Sequence, residues 1–167
     1  MAQRIYLDRK WRFNSEFDER MIDEPMVSSE LINIPHTVKE IPISYFDESI
    51  YQMVSAYQKS IFAPMKWDGK VVLLTFEAVG PSCDVYINGR HVKHHECGYT
   101  AFSIDVSLFL KYGQENLITV RVDSRESLNQ PPFGYVVDYM TYGGIYRDVY
   151  FEIMDKTRFL DVFLQPS

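Results

Sequence analysis

Apolar residues recur at every second position through most of this 167-residue chain. That period places one face of an extended strand inward and the other toward water. In residues 117–122, Ile118, Val120 and Val122 point one way while Thr119 and Arg121 point the other. In residues 148–153, Val149, Phe151 and Ile153 alternate with Asp148, Tyr150 and Glu152. Residues 71–76 are apolar on both faces, as a central strand between two layers would be. Residues 50–62 read as one long strand or two collinear ones, and residues 11–14, 31–34 and 100–106 add shorter ones. Many short strands separated by turn signals predict an all-β sandwich. Helix is scarce: Ser107 is positioned to cap one turn over 108–111 that Gly113 ends, and residues 15–23 allow another short turn.

One turn is written plainly. Asn88-Gly89 lies between residues 84–87 and 90–92, and this dipeptide supplies the two positive-φ positions of a tight hairpin. The turn sets Ile87 opposite Arg90, Val85 opposite Val92 and Cys83 opposite His94. Cys97, the second of two cysteines, then falls beyond reach of Cys83. Both are expected as free thiols, which suits a reducing compartment.

Composition narrows the function classes. A chain that is 46% hydrophobic and 15% aromatic is not disordered, and its length suits one domain. The net charge is -6, with no Lys/Arg cluster, so no nucleic acid partner is expected. No apolar run is long enough to cross a bilayer and the first residues do not read as a signal peptide, so the expectation is a cytoplasmic protein with no membrane partner.

Candidate chemistry is sparse. His94-His95-Glu96-Cys97 suggests metal ligands, but neighbours on a strand point to opposite faces and cannot converge on one ion. Hairpin surface is the favoured reading, and neither a metal nor another cofactor is expected. No nucleophile elbow or phosphate-binding glycine loop is present. Residues 124–146 break the alternation: they carry Pro131-Pro132, Gly134 and Gly143-Gly144, and also Phe133, Tyr135, Tyr139 and Tyr142. Loops this long inside a compact domain are functional or disordered, and this one is too aromatic for a solvated tether. Asp138 stands among those aromatics. Pattern alone leaves two roles open for it, a carboxylate accepting from sugar hydroxyls beside stacking rings, or an Asp closing a turn. Residues 159–164 alternate like the opening strand of a further domain, which divides the chain into residues 1–157 and 158–167.

The order of segments carries a resemblance. Ile34-Pro35-His36-Thr37-Val38 is followed by Tyr57-Gln58-Lys59-Ser60-Ile61-Phe62, by residues 71–79, and by Val85-Tyr86-Ile87-Asn88-Gly89. Then come residues 95–102 (His-Glu-Cys-Gly-Tyr-Thr-Ala-Phe), residues 116–123, and Gly143-Gly144-Ile145-Tyr146-Arg147-Asp148-Val149. Together they resemble the sugar-binding amino-terminal domain of glycoside hydrolase family 2, the family of β-galactosidases, β-glucuronidases and β-mannosidases. Cys97 stands where that family often has Gly.

The resemblance implies a jelly-roll β-sandwich of the galactose-binding-domain type, followed in the same chain by an immunoglobulin-like domain and a (β/α)8 barrel. The barrel carries both catalytic glutamates, the acid/base one preceded by Asn. No Asn is followed by Glu here, and a barrel needs about 250 residues, so these residues are expected to be inactive alone. The resemblance further implies a β-glycoside substrate, galactoside before glucuronide, and allows a homo-oligomer. Asp138 stands seven residues before Ile145, matching the family's Asp that reaches into the barrel's active site to hold the sugar. Two rival readings are a free-standing carbohydrate-binding module and a purely structural domain.

Overall fold

The computed structural model describes residues 3–40, 44, 47–127, 142–158 and 163–165. Twelve strands follow in chain order: β1 (Gln3–Tyr6), β2 (Trp11–Asn14), β3 (Glu30–Ile32), β4 (His36–Thr37), β5 (Val54–Ala63), β6 (Val71–Phe76), β7 (Ser82–Ile87), β8 (Arg90–Glu96), β9 (Phe102–Asp105), β10 (Gln114–Asp123), β11 (Gly144–Ile145) and β12 (Val149–Met154). Three short 3-10 turns, Glu19–Ile22, Glu48–Tyr51 and Met65–Trp67, are the helical elements among the described residues.

The strands form a six-stranded sheet in the order β3-β2-β5-β10-β7-β8, a four-stranded sheet β1-β12-β6-β9, and a two-stranded ribbon of β11 and β4. The pairings are antiparallel. The two large sheets share one core, to which β10 gives Ile118, Val120 and Val122, β7 gives Val85 and Ile87, β6 gives Val72, Leu74 and Phe76, and β12 gives Val149, Phe151 and Ile153. This is the all-β sandwich the alternation predicts, and the residues chosen by alternation are buried. Trp11 is also fully buried, its indole N–H donating to the Leu7 carbonyl at 2.6 Å.

Asn88-Gly89 forms the expected turn, with φ of 50° and 82°. The Asn88 side chain also reaches the neighbouring strand: Oδ1 accepts from the Leu117 N–H at 3.0 Å, and Nδ2 donates to Asn116 Oδ1 at 2.8 Å. Ile87 faces Arg90 as expected, but the register shifts after Tyr86–His91. Val92 is an extra residue, so Val85 lies opposite Lys93 and Cys83 opposite His95. A bulge of this kind puts two residues of one strand against one of the other, and it corrects the simple hairpin register. Both cysteines are free, Cys83 buried and Cys97 exposed.

Two other expectations change locally, and a third falls largely outside the described residues. Residues 50–62 are not continuous strand: Asp47 Oδ1 accepts from the Ser49 N–H at 2.9 Å and starts a 3-10 turn, so β5 begins only at Val54. Asp105, not Ser107, receives the backbone N–H at the turn after β9, at 3.0 Å. Ser107 Oγ instead accepts from the Val72 N–H, and residues 107–109 form a turn, not a helix. Of the strand expected over residues 159–164, residues 159–162 lie outside the described residues, and Phe163 and Leu164 are exposed.

Candidate functional site

The break in alternation after β10 begins where two backbone anchors meet. Ser124, buried, donates its N–H to the Met53 carbonyl at 2.9 Å and its hydroxyl to the Tyr51 carbonyl at 2.7 Å. Just before it, the Asp123 carboxylate takes Arg125 in a two-pronged contact at 2.9 and 2.7 Å and Arg121 at 3.1 Å. Burial pushes the Asp123 carboxyl up, but the Arg125 hydrogen bonds and the two positive charges outweigh it and hold the pKa below the ordinary value.

The chain returns at Gly143. The Gly143 carbonyl accepts from the Val38 N–H at 2.9 Å, and Gly144 exchanges a pair of backbone hydrogen bonds with Gly80 at 3.0 and 3.1 Å. Gly144 and Ile145 pair with Thr37 and His36. A Cβ on Gly143 would overlap the Ser124 side chain. Ser124 and Gly143, the residues that flank 125–142, therefore lie side by side.

Beneath this pair lies Tyr57 of β5, fully buried. Its hydroxyl sits 2.8 Å from His36 Nδ1. Burial raises the Tyr57 pKa far above its ordinary value and lowers that of His36. Phe13 packs against both rings at 4.9 and 4.7 Å. The neutral pair reads as one donor and one acceptor satisfying each other inside an apolar layer.

A second feature shares this end through Gly80. The residue 97–100 turn hangs from the Pro81 carbonyl by the Cys97 N–H at 3.1 Å, and the Tyr146 hydroxyl donates to the Gly98 carbonyl. Cys97, standing where the resembling family often has Gly, holds φ at 89°, the left-handed region that favours glycine. Hydrogen bonds from Tyr99 and Thr100 hold its thiol below the ordinary pKa. Tyr99 and Tyr142 are exposed at this end. Asp138 and Tyr139 lie outside the described residues; the anchors on either side of them are the part of the candidate site that the structure presents.

The histidine run divides as strand geometry requires. His94 lies on the outer face, Nδ1 at 2.8 Å from Asp84 Oδ1 and Nε2 at 3.2 Å from Glu96 Oε1, with His91 at 3.1 Å from the same Asp84 oxygen. His95 turns the other way and stacks on Phe102 at 4.1 Å. Among the described residues, no group of three or more His, Cys, Asp or Glu side chains is arranged to hold a metal.

The hydrogen bonds to Asp84 and then Glu96 raise the His94 pKa above its ordinary 6.5. A raised value means that the folded state favours the imidazolium, so this stabilisation is complete below pH 6.5 and is lost as pH rises through the raised value. His94→Gln is expected to lower the thermal midpoint at about pH 5.5 and to leave it unchanged at about pH 9. An equal shift at both would remove the charge from the explanation. His36 has the opposite sign: burial favours its neutral form, so its contribution is lost as pH falls below its ordinary value.

With this geometry in view, comparison with known proteins is specific. Residues 13–154 match the family described as glycosyl hydrolases family 2, sugar binding domain. The chain is 44% identical to a β-galactosidase of Thermoanaerobacter pseudethanolicus over 80% of its own length and 18% of that protein. It is 38% identical to a β-galactosidase of Thermoanaerobacterium thermosulfurigenes, covering 99% of this chain and 23% of the relative. Among solved structures, Bacteroides uniformis β-glucuronidase 2 superposes with a TM-score of 0.83 at 28% identity, over 93% of this chain and 18% of that one. This sandwich is a sugar-binding domain of the glycosyl hydrolase class, and the chain belongs to the sugar-binding domain family of glycosyl hydrolase family 2. It spans about a fifth of the length of these relatives.

Proposed function

We propose that this chain is the amino-terminal, non-catalytic domain of a glycoside hydrolase that cleaves β-glycosides, and that the parent enzyme is a β-galactosidase. Asp138 is its contribution to the sugar site, projecting into an active site built on a barrel domain of the same chain. The observation that carries this reading is the spacing of Asp138 to Ile145 in Gly143-Gly144-Ile145-Tyr146-Arg147, on a segment whose two anchors are tied together at the base of the sandwich. A carboxylate that must hold a sugar hydroxyl within hydrogen-bond reach gains most from a fixed origin, because less ordering remains to be done on binding. The galactosidase names of the two bacterial relatives support galactoside as the substrate. The β-glucuronidase among the similar structures supports glucuronide as the second reading.

By itself the domain carries no turnover, since hydrolysis needs two carboxylates flanking the scissile bond. The sandwich is read as the jelly roll of galactose-binding type, and the free thiols Cys83 and Cys97 support a cytoplasmic setting. No helix among the described residues is long and apolar enough to cross a membrane.

The test is Asp138→Ala in the full-length enzyme. A hydrogen bond to a charged group contributes about 1.5–3 kcal/mol, and tenfold in rate is about 1.36 kcal/mol. The expected loss in kcat/KM is therefore about ten- to a hundredfold, with the thermal midpoint unchanged. It falls in kcat if the contact tightens in the transition state and in KM if it is uniform binding. Asp148→Ala is the control, because that side chain precedes β12 outside the candidate site. Wild-type kinetics for Asp138→Ala with every substrate the parent cleaves would sink the reading.

A further inference from the structure

The Tyr57 hydroxyl has no packing reason to exist. Phenylalanine would fill the same space against Phe13 and the core of β5, and a buried hydroxyl is costly unless paired. This one is paired to one strand of the small ribbon and closely approached by the other: His36 Nδ1 belongs to β4, and Gly144 of β11 lies so near that a Cβ on it would come 2.9 Å from the hydroxyl. The ribbon is two residue pairs long, Gly144 with Thr37 and Ile145 with His36. So short a ladder does not hold its own register. A cross-link from a fully buried side chain of the main sheet supplies what the ladder lacks.

The same strand region also fastens the outgoing side. Tyr51 and Met53, immediately before β5, receive Ser124. Both ends of the 125–142 segment are therefore tied to one stretch of chain, residues 51–57. Gly144 is part of this arrangement, because a Cβ there would lie 2.9 Å from the Tyr57 hydroxyl and 2.5 Å from the His36 carbonyl oxygen.

We propose that the Tyr57–His36 pair is a positioning device for the sugar contact: it fixes where the chain re-enters the sandwich at Gly144-Ile145 and so sets the origin from which Asp138 is presented. This rests on the reading of Asp138 given above. Neither residue touches substrate. Tyr57 and His36 act through the ribbon.

The experiment is a double-mutant cycle in the full-length enzyme with the nitrophenyl glycoside it cleaves fastest. Loss of a neutral hydrogen bond predicts that Tyr57→Phe lowers kcat/KM about twofold to tenfold. The loss divides between kcat and KM as it does for Asp138→Ala, and Tyr57→Phe costs nothing further when Asp138 is already Ala. His36→Asn, whose Oδ1 takes the place of Nδ1 and still accepts from the Tyr57 hydroxyl, retains most of the activity that His36→Leu loses. Three results overturn the proposal while leaving the Asp138 reading intact: Tyr57→Phe with wild-type kinetics, equal losses in the presence and absence of Asp138, or His36→Asn as impaired as His36→Leu. Wild-type kinetics for Asp138→Ala would instead refute the reading beneath it, and the proposal with it.

Discussion

Gly144→Ala is expected to destabilise the domain by about 2–6 kcal/mol, from backbone strain of about 1–3 kcal/mol and overpacking of similar size. The first arises because Gly144 holds φ at 125°, which L side chains rarely adopt. The second arises because the new methyl would sit 2.5 Å from the His36 carbonyl oxygen and 3.1 Å from the Thr37 Cα. Both are backbone atoms of the paired strand and cannot swing aside as a flexible side-chain end could. Gly69→Ala separates the two effects. Gly69 has φ of 78° but nothing within 4 Å of an added Cβ, so only the strain remains. At about 2–4 °C per kcal/mol for a domain of this size, Gly144→Ala should lower the thermal midpoint by about 4–24 °C. Equal midpoints for the two variants would show that the close approach at the ribbon has no energetic weight.

Gln58→Ala is expected to cost about 2–4 kcal/mol through the unpaired groups it leaves behind. Gln58 is fully buried although it points away from the core. Its Oε1 accepts from the Met26 N–H at 2.8 Å, and its Nε2 donates to the carbonyls of Glu24 at 2.8 Å and Met21 at 2.5 Å. Thr119 of β10 adds a hydroxyl to the same Met21 carbonyl at 3.0 Å. These two side chains hold the stretch around the Glu19–Ile22 turn over the outer face of the large sheet. Removing Gln58 leaves the Met26 N–H and the Glu24 carbonyl without their partner and the Met21 carbonyl with Thr119 alone, and the covering stretch must lift for water to replace it. Denaturant unfolding should show the loss, and limited proteolysis should show new cleavage within residues 18–28. A change under about 0.5 kcal/mol, the range of ordinary surface substitutions, together with unchanged cleavage, would contradict this account. Thr119→Val should follow in the same direction with a smaller effect, since one hydroxyl is lost against three bonds for Gln58.

Gln58 and Thr119 also mark where reading the sequence stops. By alternation they belong to the outward face of β5 and β10, and so they do. Outward means solvent only when nothing crosses above, and whether residues 18–26 cross there is decided by pairing between segments more than thirty positions apart. β1 is similar. Gln3, Arg4, Ile5 and Tyr6 have no useful alternation, and their extended form is set by pairing with β12, with Arg4 bonded to Glu152 at 2.9 Å and lying over the Tyr150 ring at 4.1 Å.

The candidate site divides in the same manner. Asp138 is a proposal drawn from the sequence alone, from its spacing to Ile145 within the ordered motifs, and lies outside the described residues. The Tyr57–His36 contact was not legible there, although both residues lie inside those motifs. Each looks like a strand residue in its own segment, and the only local signal was a tyrosine where phenylalanine would satisfy the pattern. The bulge at Val92 has the same origin: Asn-Gly specifies the turn, but an extra residue farther along the hairpin depends on how β7 is held by β10.

The sequence by itself determined the all-β class, the inward residues of β6, β7, β10 and β12, the Asn88-Gly89 turn and the family. These follow from a period of two, from turn chemistry and from motif order, all of which are local along the chain. Only the tertiary structure decided that residues 18–26 cover the outer sheet, that Cys97 carries a positive φ, and that Ser124, Tyr57, His36 and Gly144 meet at one base. Those outcomes depend on which segments pair across long loops. A buried hydroxyl or amide acquires its partner only when the sandwich closes and removes the alternative of water.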